Sequence, residues 1–202
     1  MEVGLEFYHY IIVCAAVFLA GLIDAIAGGG GLISLPAYLM IGLPSHFAIG
    51  TNKLSSAMGT VISTSEYIKD GFVNWKNGIF CIFVTLAGAW IGSNLALLIP
   101  EKYFSIIMIV LLTGLAHISL NEAAGTAKVV NITSNITALV VFIINGKVLW
   151  PLGLTAGAFS IAGHFLGAKL FVRNGTKIAR PVIITVLSLL FIKIAVQVFQ
   201  AL

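Results

Sequence analysis

Long uninterrupted apolar runs constrain this chain more than any other feature. Hydrophobic residues make up 59% of the 202 residues and charged residues only 9%, and the mean hydropathy is +1.09. A soluble domain carries roughly 25% charged residues, and a surface this apolar would not stay dispersed in water. Lipid is therefore the expected solvent for most of the chain. We predict an all-α, polytopic transmembrane helical bundle.

Seven of these runs are candidates to cross a bilayer, which takes roughly 20 apolar residues in a helix. They are Tyr8–Ala27, Phe47–Tyr67, Gly78–Ile99, Tyr103–Ser119, Ala127–Ile144, Trp150–Phe171 and Pro181–Gln200. Leu32–Gly42 is too short to span and is expected to be a broken or re-entrant piece. The first run follows a leader that holds Glu2 and Glu6 but no basic residue, so we interpret it as a retained helix and not a signal peptide.

The polar residues outside these runs exclude several function classes. The net charge is +4, but the basic residues are spread through short loops, where they commonly anchor helices at lipid headgroups. We therefore expect no nucleic acid partner. His164 is interpreted as a packed helix residue, and no histidine has metal-like spacing with a carboxylate. Since no nucleophile and base occur in a recognisable pattern, the sequence predicts no enzyme, no cofactor and no metal.

An internal repeat runs through the chain without gaps, at the offset that relates Gly50 to Gly125. Gly50-Thr51-Asn52-Lys53 returns as Gly125-Thr126-Ala127-Lys128, and the other matched pairs are Gly71 and Gly146, Trp75 and Trp150, Gly88 and Gly163, and Gly92 and Gly167. Small residues four positions apart let helices approach closely, so these last two pairs are interpreted as packing seams. One register that holds through two helices and their loops indicates duplication.

We predict one transmembrane domain over residues 1–202, with repeat one over about residues 8–119 and repeat two over about residues 120–202. Nothing in repeat two corresponds to Tyr8–Gly42. One repeat therefore has a first helix and a glycine hairpin, and the other is truncated and lacks both. Duplication is common in transporters, where the substrate binds at the repeat interface.

Two lysines, Lys53 and Lys128, begin apolar runs at equivalent positions of the two repeats. Such a charge either reaches up to the headgroups or faces a cavity or a partner, and its recurrence favours a functional role. Neutral polar residues follow each lysine on the same helix face, and they are Ser56, Thr60, Asn131 and Asn135. These faces either join helices through hydrogen bonds or bind a small anion that has several oxygen acceptors.

Asp24 precedes four consecutive glycines, which are expected to break the first helix. Broken backbone at membrane depth is tolerated where it is buried in protein or lines a cavity. Asp24 either forms an ion pair with Lys53 or carries a coupling proton, and the ion pair is the preferred interpretation. The candidate substrate-binding residues are Gly28, Gly29, Gly30, Gly31, Thr51, Asn52, Lys53, Thr126, Lys128, Asn131 and Asn135.

The stretch from Gly21 to Pro36, followed by Ala48 to Lys53, resembles the TauE/SafE sulfite exporter family of membrane permeases. The stretch Gly125 to Asn135 is similar to the second-repeat signature of that family. The resemblance implies a multi-pass transporter in the inner membrane of a bacterium or archaeon, for sulfite, organosulfonates or related small anions. The residues that match its motifs are Asp24, Gly28, Gly30, Gly31, Gly50, Thr51, Asn52, Lys53, Gly125, Lys128, Asn131 and Asn135. Family members usually carry a second hairpin rich in Asp and Gly, which this sequence lacks.

Three hypotheses about function follow from these features. The first is secondary transport of a small anion, with the two lysines supplying charge. The second is a passive anion channel, formed by an oligomer that compensates for the missing segment. The third is a degenerate transporter or a membrane scaffold that transports nothing. The expected partners are the anion, the lipid bilayer and, in the second hypothesis, further copies of this chain.

Overall fold

Six α-helices make up the part of the chain that this computed structural model describes. That part is residues 5–73, 75–98 and 123–175 with residues 177, 178, 181, 182 and 185, without the side chains of residues 77 and 123–126, and it contains no β-strand. The helices are α1 (Phe7–Ala27), α2 (Gly31–Met40), α3 (Ser45–Lys69), α4 (Trp75–Leu98), α5 (Ala123–Ile144) and α6 (Trp150–Asn174). The predicted all-α bundle is confirmed.

Four of the described helices are long and apolar enough to cross a membrane, namely α1, α4, α5 and α6. The α3 helix is as long as α6, at 25 residues. Its many serines and threonines and Lys53 make it too polar to qualify as a membrane span by composition. Its polar side is instead buried against the other helices. The predicted helix Tyr103–Ser119 lies outside the described residues, as does most of Pro181–Gln200.

The first helix is broken after Ala27, as the glycine run predicts. Gly28 and Gly29 take φ values of 78° and 84°, which L residues with a side chain rarely adopt. The chain then restarts as the short α2, and the backbone N–H of Gly30 donates to Oδ1 of Asp24 at 2.9 Å. Because of the break, the chain turns back and a backbone N–H donates to a carboxylate near the end of α1.

Gly28→Ala is expected to destabilise the protein by about 1–3 kcal/mol, the usual cost of a backbone region that essentially only glycine occupies. Gly28 has φ 78° and ψ 174°, and a Cβ there would meet nothing within 4 Å, so the cost is backbone strain alone. Gly31→Ala, in the first turn of α2, is the matched control and should be neutral or slightly stabilising. Thermal unfolding in detergent compares the two variants, and equal stability would contradict the strain argument.

Equivalent helices of the two repeats cross in opposite directions. Nζ of Lys53 donates to Oδ1 of Asn135 at 2.9 Å, and Oγ1 of Thr64 donates to the carbonyl oxygen of Lys128 at 3.4 Å. Lys53 of α3 thus contacts Asn135 of α5, and Thr64, further along α3, contacts Lys128, which comes earlier in α5, so the two helices run antiparallel. Thr60 and Asn135, which are counterparts in the repeat, contact each other at 3.2 Å. This is the arrangement of an inverted repeat.

The packing of α4 and α6 follows the repeat symmetry, but the packing of α1 does not. The α6 helix packs on α3, and its counterpart α4 packs on α5. The α1 helix lies on α6 as well, where Gly163 and Gly167 bring the two backbones together. A Cβ at Gly163 would lie 3.0 Å from the backbone nitrogen of Leu22, whereas a Cβ at Gly88 or Gly92 would meet no described atom within 4 Å. The repeat boundaries at residues 119 and 120 fall outside the described residues and stay a prediction.

The apolar core fixes α1 against α3 and α6. One cluster near the amino-terminal end of α1 joins these helices to the end of α2, and its members include Val13, Val17, Tyr38, Ala48, Leu152 and Ala156. A second cluster near the other end of α1 includes Ala25, Ile26, Tyr67, Ala168 and Phe171. Asp24 lies between the two clusters, so apolar packing on both sides determines where its carboxylate points.

Candidate functional site

A cavity of about 190 Å³ opens beside the break between α1 and α2. Helices α1, α2, α3, α5 and α6 all contribute to its wall, so both repeats meet there. Its polar lining consists of Asp24, Ser34, Asn52, Lys53, Ser56, Asn131, Asn135, Ser160 and His164, and the rest of the wall is Val17, Ala20, Gly21, Gly29, Gly30 and Gly31. An intramembrane cavity lined by ionisable groups is a functional-site candidate in its own right.

Asp24 is the most heavily contacted polar residue of this cavity. Its Oδ1 accepts from the backbone N–H of Gly30 at 2.9 Å, and its Oδ2 accepts from the side-chain amide of Asn131 at 2.9 Å. The same Oδ2 lies 3.2 Å from Nε2 of His164 and 3.6 Å from Nζ of Lys128. Four groups from the hairpin, α5 and α6 thus hold the carboxylate of Asp24, a residue that is only 8% exposed.

Lys128 interacts with both the side chain and the backbone of Asp24. Its ammonium group forms the ion pair with the Asp24 carboxylate and also donates to the backbone carbonyl of Asp24. The lysine is 5% exposed and does not line the cavity. The preferred interpretation of the sequence paired Asp24 with Lys53, but the antiparallel crossing of α5 brings Lys128 to the carboxylate instead.

Lys53, the repeat counterpart of Lys128, lines the cavity without an acidic partner. Its ammonium donates to the side-chain oxygen of Asn135 at 2.9 Å, and no ion pair of Lys53 occurs within residues 5–73, 75–98 and 123–175. The amide nitrogen of Asn135 lies 3.2 Å from Oγ1 of Thr60 and 3.3 Å from Oδ1 of Asn131. The two predicted polar helix faces thus meet, and their hydrogen bonds leave one cation facing the cavity.

The side chains of Asn52 and Thr51 lie in different environments, although the two residues are neighbours in sequence. Asn52 lines the cavity and is 6% exposed, and its side-chain oxygen has no hydrogen-bond partner among the described residues. Thr51 is fully buried away from the cavity, where its hydroxyl oxygen accepts from the backbone N–H of Leu149 at 3.0 Å. Thr51 therefore satisfies a backbone donor at the start of α6, and Asn52 presents a polar group to the cavity.

The structure brings together most of the predicted site residues. Those that line the cavity are Asp24, Gly29, Gly30, Gly31, Asn52, Lys53, Asn131 and Asn135. Gly28, Thr51 and Lys128 lie outside its wall, and the side chain of Thr126 is not among those described. Whether these residues bind substrate stays a prediction.

Besides Asp24, four polar lining residues were not among the candidate substrate-binding residues, namely Ser34, Ser56, Ser160 and His164. His164 was interpreted as a packed helix residue, and it is indeed only 3% exposed, but it faces Asp24. A signal was present in the sequence. Ser160 and His164 lie four residues apart within an apolar run, and an ionisable residue inside a membrane helix is by default a functional hypothesis.

Comparisons with known proteins agree with this architecture. A sequence model described as "Sulfite exporter TauE/SafE" matches residues 13–120 and again residues 105–194. A probable membrane transporter protein of Haemophilus influenzae is 30% identical over 91% of this chain and 92% of its own length. One from a Sinorhizobium species is 29% identical over 90% of each chain, and YfcA of Escherichia coli K12, also a probable membrane transporter, is 26% identical over 87% and 86%. No solved structure matches the chain.

The alignment with the Haemophilus influenzae relative spans 239 residues, more than the 202 of this chain. The relative therefore contains positions that have no counterpart here. The two matches of the family model also overlap, because residues 105–120 belong to both. Residues 105–120 thus take part in both matches.

Proposed function

This chain belongs to the TauE/SafE sulfite exporter family of membrane transporters, and from that premise we propose that it carries small oxyanions or sulfonates across a membrane by secondary transport. The membrane is the inner membrane of a bacterium or archaeon, and the protein acts without a cofactor and without enzymatic chemistry. The anion binds in the cavity between the repeats. The proposal concerns the substrate and the site, because the relatives are named only as probable membrane transporters.

The observation that carries this proposal is the charge of Lys53. Asp24 and Lys128 form a pair whose charges cancel, and Lys53 then leaves the cavity with a net positive charge. A cation held at membrane depth without an acidic partner is costly. A bound anion would relieve that cost, which supports an anionic substrate over a cationic or neutral one.

The neutral groups of the wall suit an anion that has several oxygens. Asn52 lines the cavity, and its side-chain amide nitrogen can donate two hydrogen bonds. The amide nitrogen of Asn131 already donates to Asp24, and that of Asn135 contacts Thr60 and Asn131. The serine hydroxyls of the wall add donors that can rotate. The volume of about 190 Å³ corresponds to several water molecules, each of which takes about 30 Å³ in the liquid. Sulfite, sulfate or a short sulfonate therefore fits together with some water.

Lys53→Met tests the site directly. We expect the flux of sulfite or methanesulfonate into proteoliposomes to fall at least about tenfold, because losing the charged partner of a buried anion costs about 2–5 kcal/mol. Lys169→Met is the matched control. Lys169 is exposed on α6, over the ring of Phe165 at 4.2 Å, so its loss removes the same charge away from the cavity and should leave the flux unchanged.

Equal flux in the wild type and in Lys53→Met would show that Lys53 does not bind the substrate. The same vesicles separate the alternative functions. Flux that ignores both proton and sodium gradients would assign a passive channel. A wild-type protein that neither binds nor moves sulfite, sulfate or methanesulfonate would point to a scaffold.

A further inference from the structure

His164 contacts Asp24 at the cavity wall and has no room to turn. The ring lies between α1 and α3, where Gly21 and Gly59 replace the side chains that would otherwise fill its place. A Cβ on Gly21 would lie 2.7 Å from Nδ1 of the ring, and a Cβ on Gly59 would collide with both His164 and Ser160. The two glycines therefore fix the orientation of the imidazole, and each ring nitrogen has a defined neighbour.

The neighbours of Nδ1 determine which tautomer is present. Nδ1 lies 2.9 Å from the backbone carbonyl oxygen of Ser160 and 3.3 Å from its hydroxyl oxygen. The hydroxyl could donate to a bare Nδ1, but the carbonyl oxygen, at the shorter distance, can only accept a hydrogen bond, so the contacts favour the tautomer with the hydrogen on Nδ1. In a neutral imidazole the other nitrogen, Nε2, is then a bare acceptor.

Nε2 of His164 lies 3.2 Å from Oδ2 of Asp24. A bare nitrogen and a carboxylate oxygen would both be acceptors and would repel each other. The contact becomes a hydrogen bond only when a proton sits between the two atoms, on Nε2 or on Oδ2. With the hydrogen of the neutral ring on Nδ1, the contact therefore needs one further proton, which the ionised aspartate does not supply.

We propose that Asp24 and His164 form a proton-binding site whose occupancy is linked to that of the anion in the same cavity, so that the protein moves the anion together with a proton. This inference rests on the proposed function. The proton is taken up from water on the side where the anion binds and is released with the anion on the other side. No covalent bond forms or breaks other than the N–H or O–H bond that holds this proton.

The charges around the pair support this linkage. Lys128 of α5 lies 3.6 Å from Oδ2 of Asp24, and Lys53 of α3 lines the same cavity. Tyr67 of α3 donates to the carbonyl oxygen of Ala25, beside the pair, at 2.8 Å. The described lining from α2 adds serine and glycine only, and the described part of α6 adds no other titratable group there. With the proton absent, these groups leave one net positive charge, and the proton adds a second.

A second positive charge makes the cavity a better anion site, and a bound anion makes it a better proton site. By linkage, each ligand raises the affinity of the other by the same factor. Lys128 cannot play this part, because its charge is neutralised by Asp24 and it lies outside the wall. His164 has a fixed position, contacts the cavity and places a ring nitrogen against Asp24.

Proton uptake on anion binding tests the proposal. Purified protein in detergent and a very weak buffer receives methanesulfonate, which stays ionised at all accessible pH values, so any uptake is by the protein. We expect the wild type to take up a fraction of a proton, and at most about one, per anion bound, and its affinity to weaken as the pH rises, by up to about tenfold per pH unit. His164→Gln keeps a donor toward Asp24 but cannot titrate, and should bind with no uptake and no pH dependence.

Three results are decisive. Binding by the wild type without proton uptake would overturn the proton site and leave the proposed function standing. Undiminished uptake by His164→Gln would assign the proton elsewhere and also overturn it. If methanesulfonate does not bind the wild type, the proposal of sulfonate transport is refuted. The proton site is then tested by spectroscopy without any anion. Isotope-labelled histidine NMR and infrared spectra of the wild type should then show an imidazolium or a protonated Asp24, and a neutral ring beside an ionised Asp24 would refute the inference.

Discussion

Lys128→Met is expected to destabilise the folded protein by about 3–5 kcal/mol, the usual cost of removing one partner from a buried ion pair. The side chains of Lys128 and Asp24 are 6% and 12% exposed. The lysine also donates to the backbone carbonyl of Asp24, so its loss leaves a carboxylate and a carbonyl short of a donor at membrane depth. Unfolding in mixed micelles, with the denaturing detergent raised stepwise, measures the free energy.

The repeat supplies a matched control for this substitution. Lys53→Met removes the same side chain at the equivalent position, but Lys53 has no acidic partner among the described residues and borders the cavity. It should unfold close to the wild type while losing transport. Asp24→Asn combined with Lys128→Met should recover much of the lost stability, because neither member of the buried ion pair is then left charged without its partner. Similar destabilisation by Lys53→Met and Lys128→Met would show that the two lysines do not differ in role.

Gly163→Ala and Gly88→Ala should change stability in opposite directions, although the two glycines are counterparts. A Cβ at Gly163 would collide with the backbone carbonyl of Phe18 and lie 3.0 Å from the backbone nitrogen of Leu22. Backbone atoms cannot swing aside, so α1 must shift at a cost of about 1–3 kcal/mol. A Cβ at Gly88 meets no described atom within 4 Å, and alanine is the better helix former by about 1 kcal/mol.

Thermal unfolding of both variants in the same detergent provides the measurement. Gly163→Ala should melt below the wild type, and Gly88→Ala at or above it. Gly92→Ala and Gly167→Ala, one turn further along the same two helices, repeat the comparison and should show the same signs. A loss of stability at Gly88 as large as that at Gly163 would mean that the seam on α4 is packed against another helix after all.

The helices and the composition of the cavity wall could be predicted because both depend on local pattern. The run Trp150–Phe171 became the helix Trp150–Asn174, since length and apolar content are sufficient to define a membrane helix. Lys53 and its polar neighbours were predicted to share a face because residues three and four apart on a helix do so. The break at Gly28 followed from the glycine run itself. Each of these predictions needs only residues that are close in sequence.

The partner of Asp24 could not be predicted in the same way. Lys53 and Lys128 occupy equivalent positions and have nearly the same neighbours in sequence, so no local pattern distinguishes them. What separates them is that α5 crosses α3 in the opposite direction and reaches the end of α1, a contact between residues 104 positions apart. His164 was undervalued for a related reason, because its partner lies 140 positions away and a histidine within an apolar run is often a packed residue.

The one-sided position of α1 also bears on the energies of the transport cycle. With two complete inverted repeats, the state open to one side becomes the state open to the other when the halves exchange conformations, so the two states have similar energies. Here α1 and the glycine hairpin flank the cavity from the first repeat, and the described part of the second repeat offers no equivalent. If the second repeat lacks these elements, as the sequence predicts, the exchange is incomplete and one state should dominate when no anion is bound. We expect a thiol reagent to reach Ser56→Cys, on the cavity wall, from one face of the membrane only.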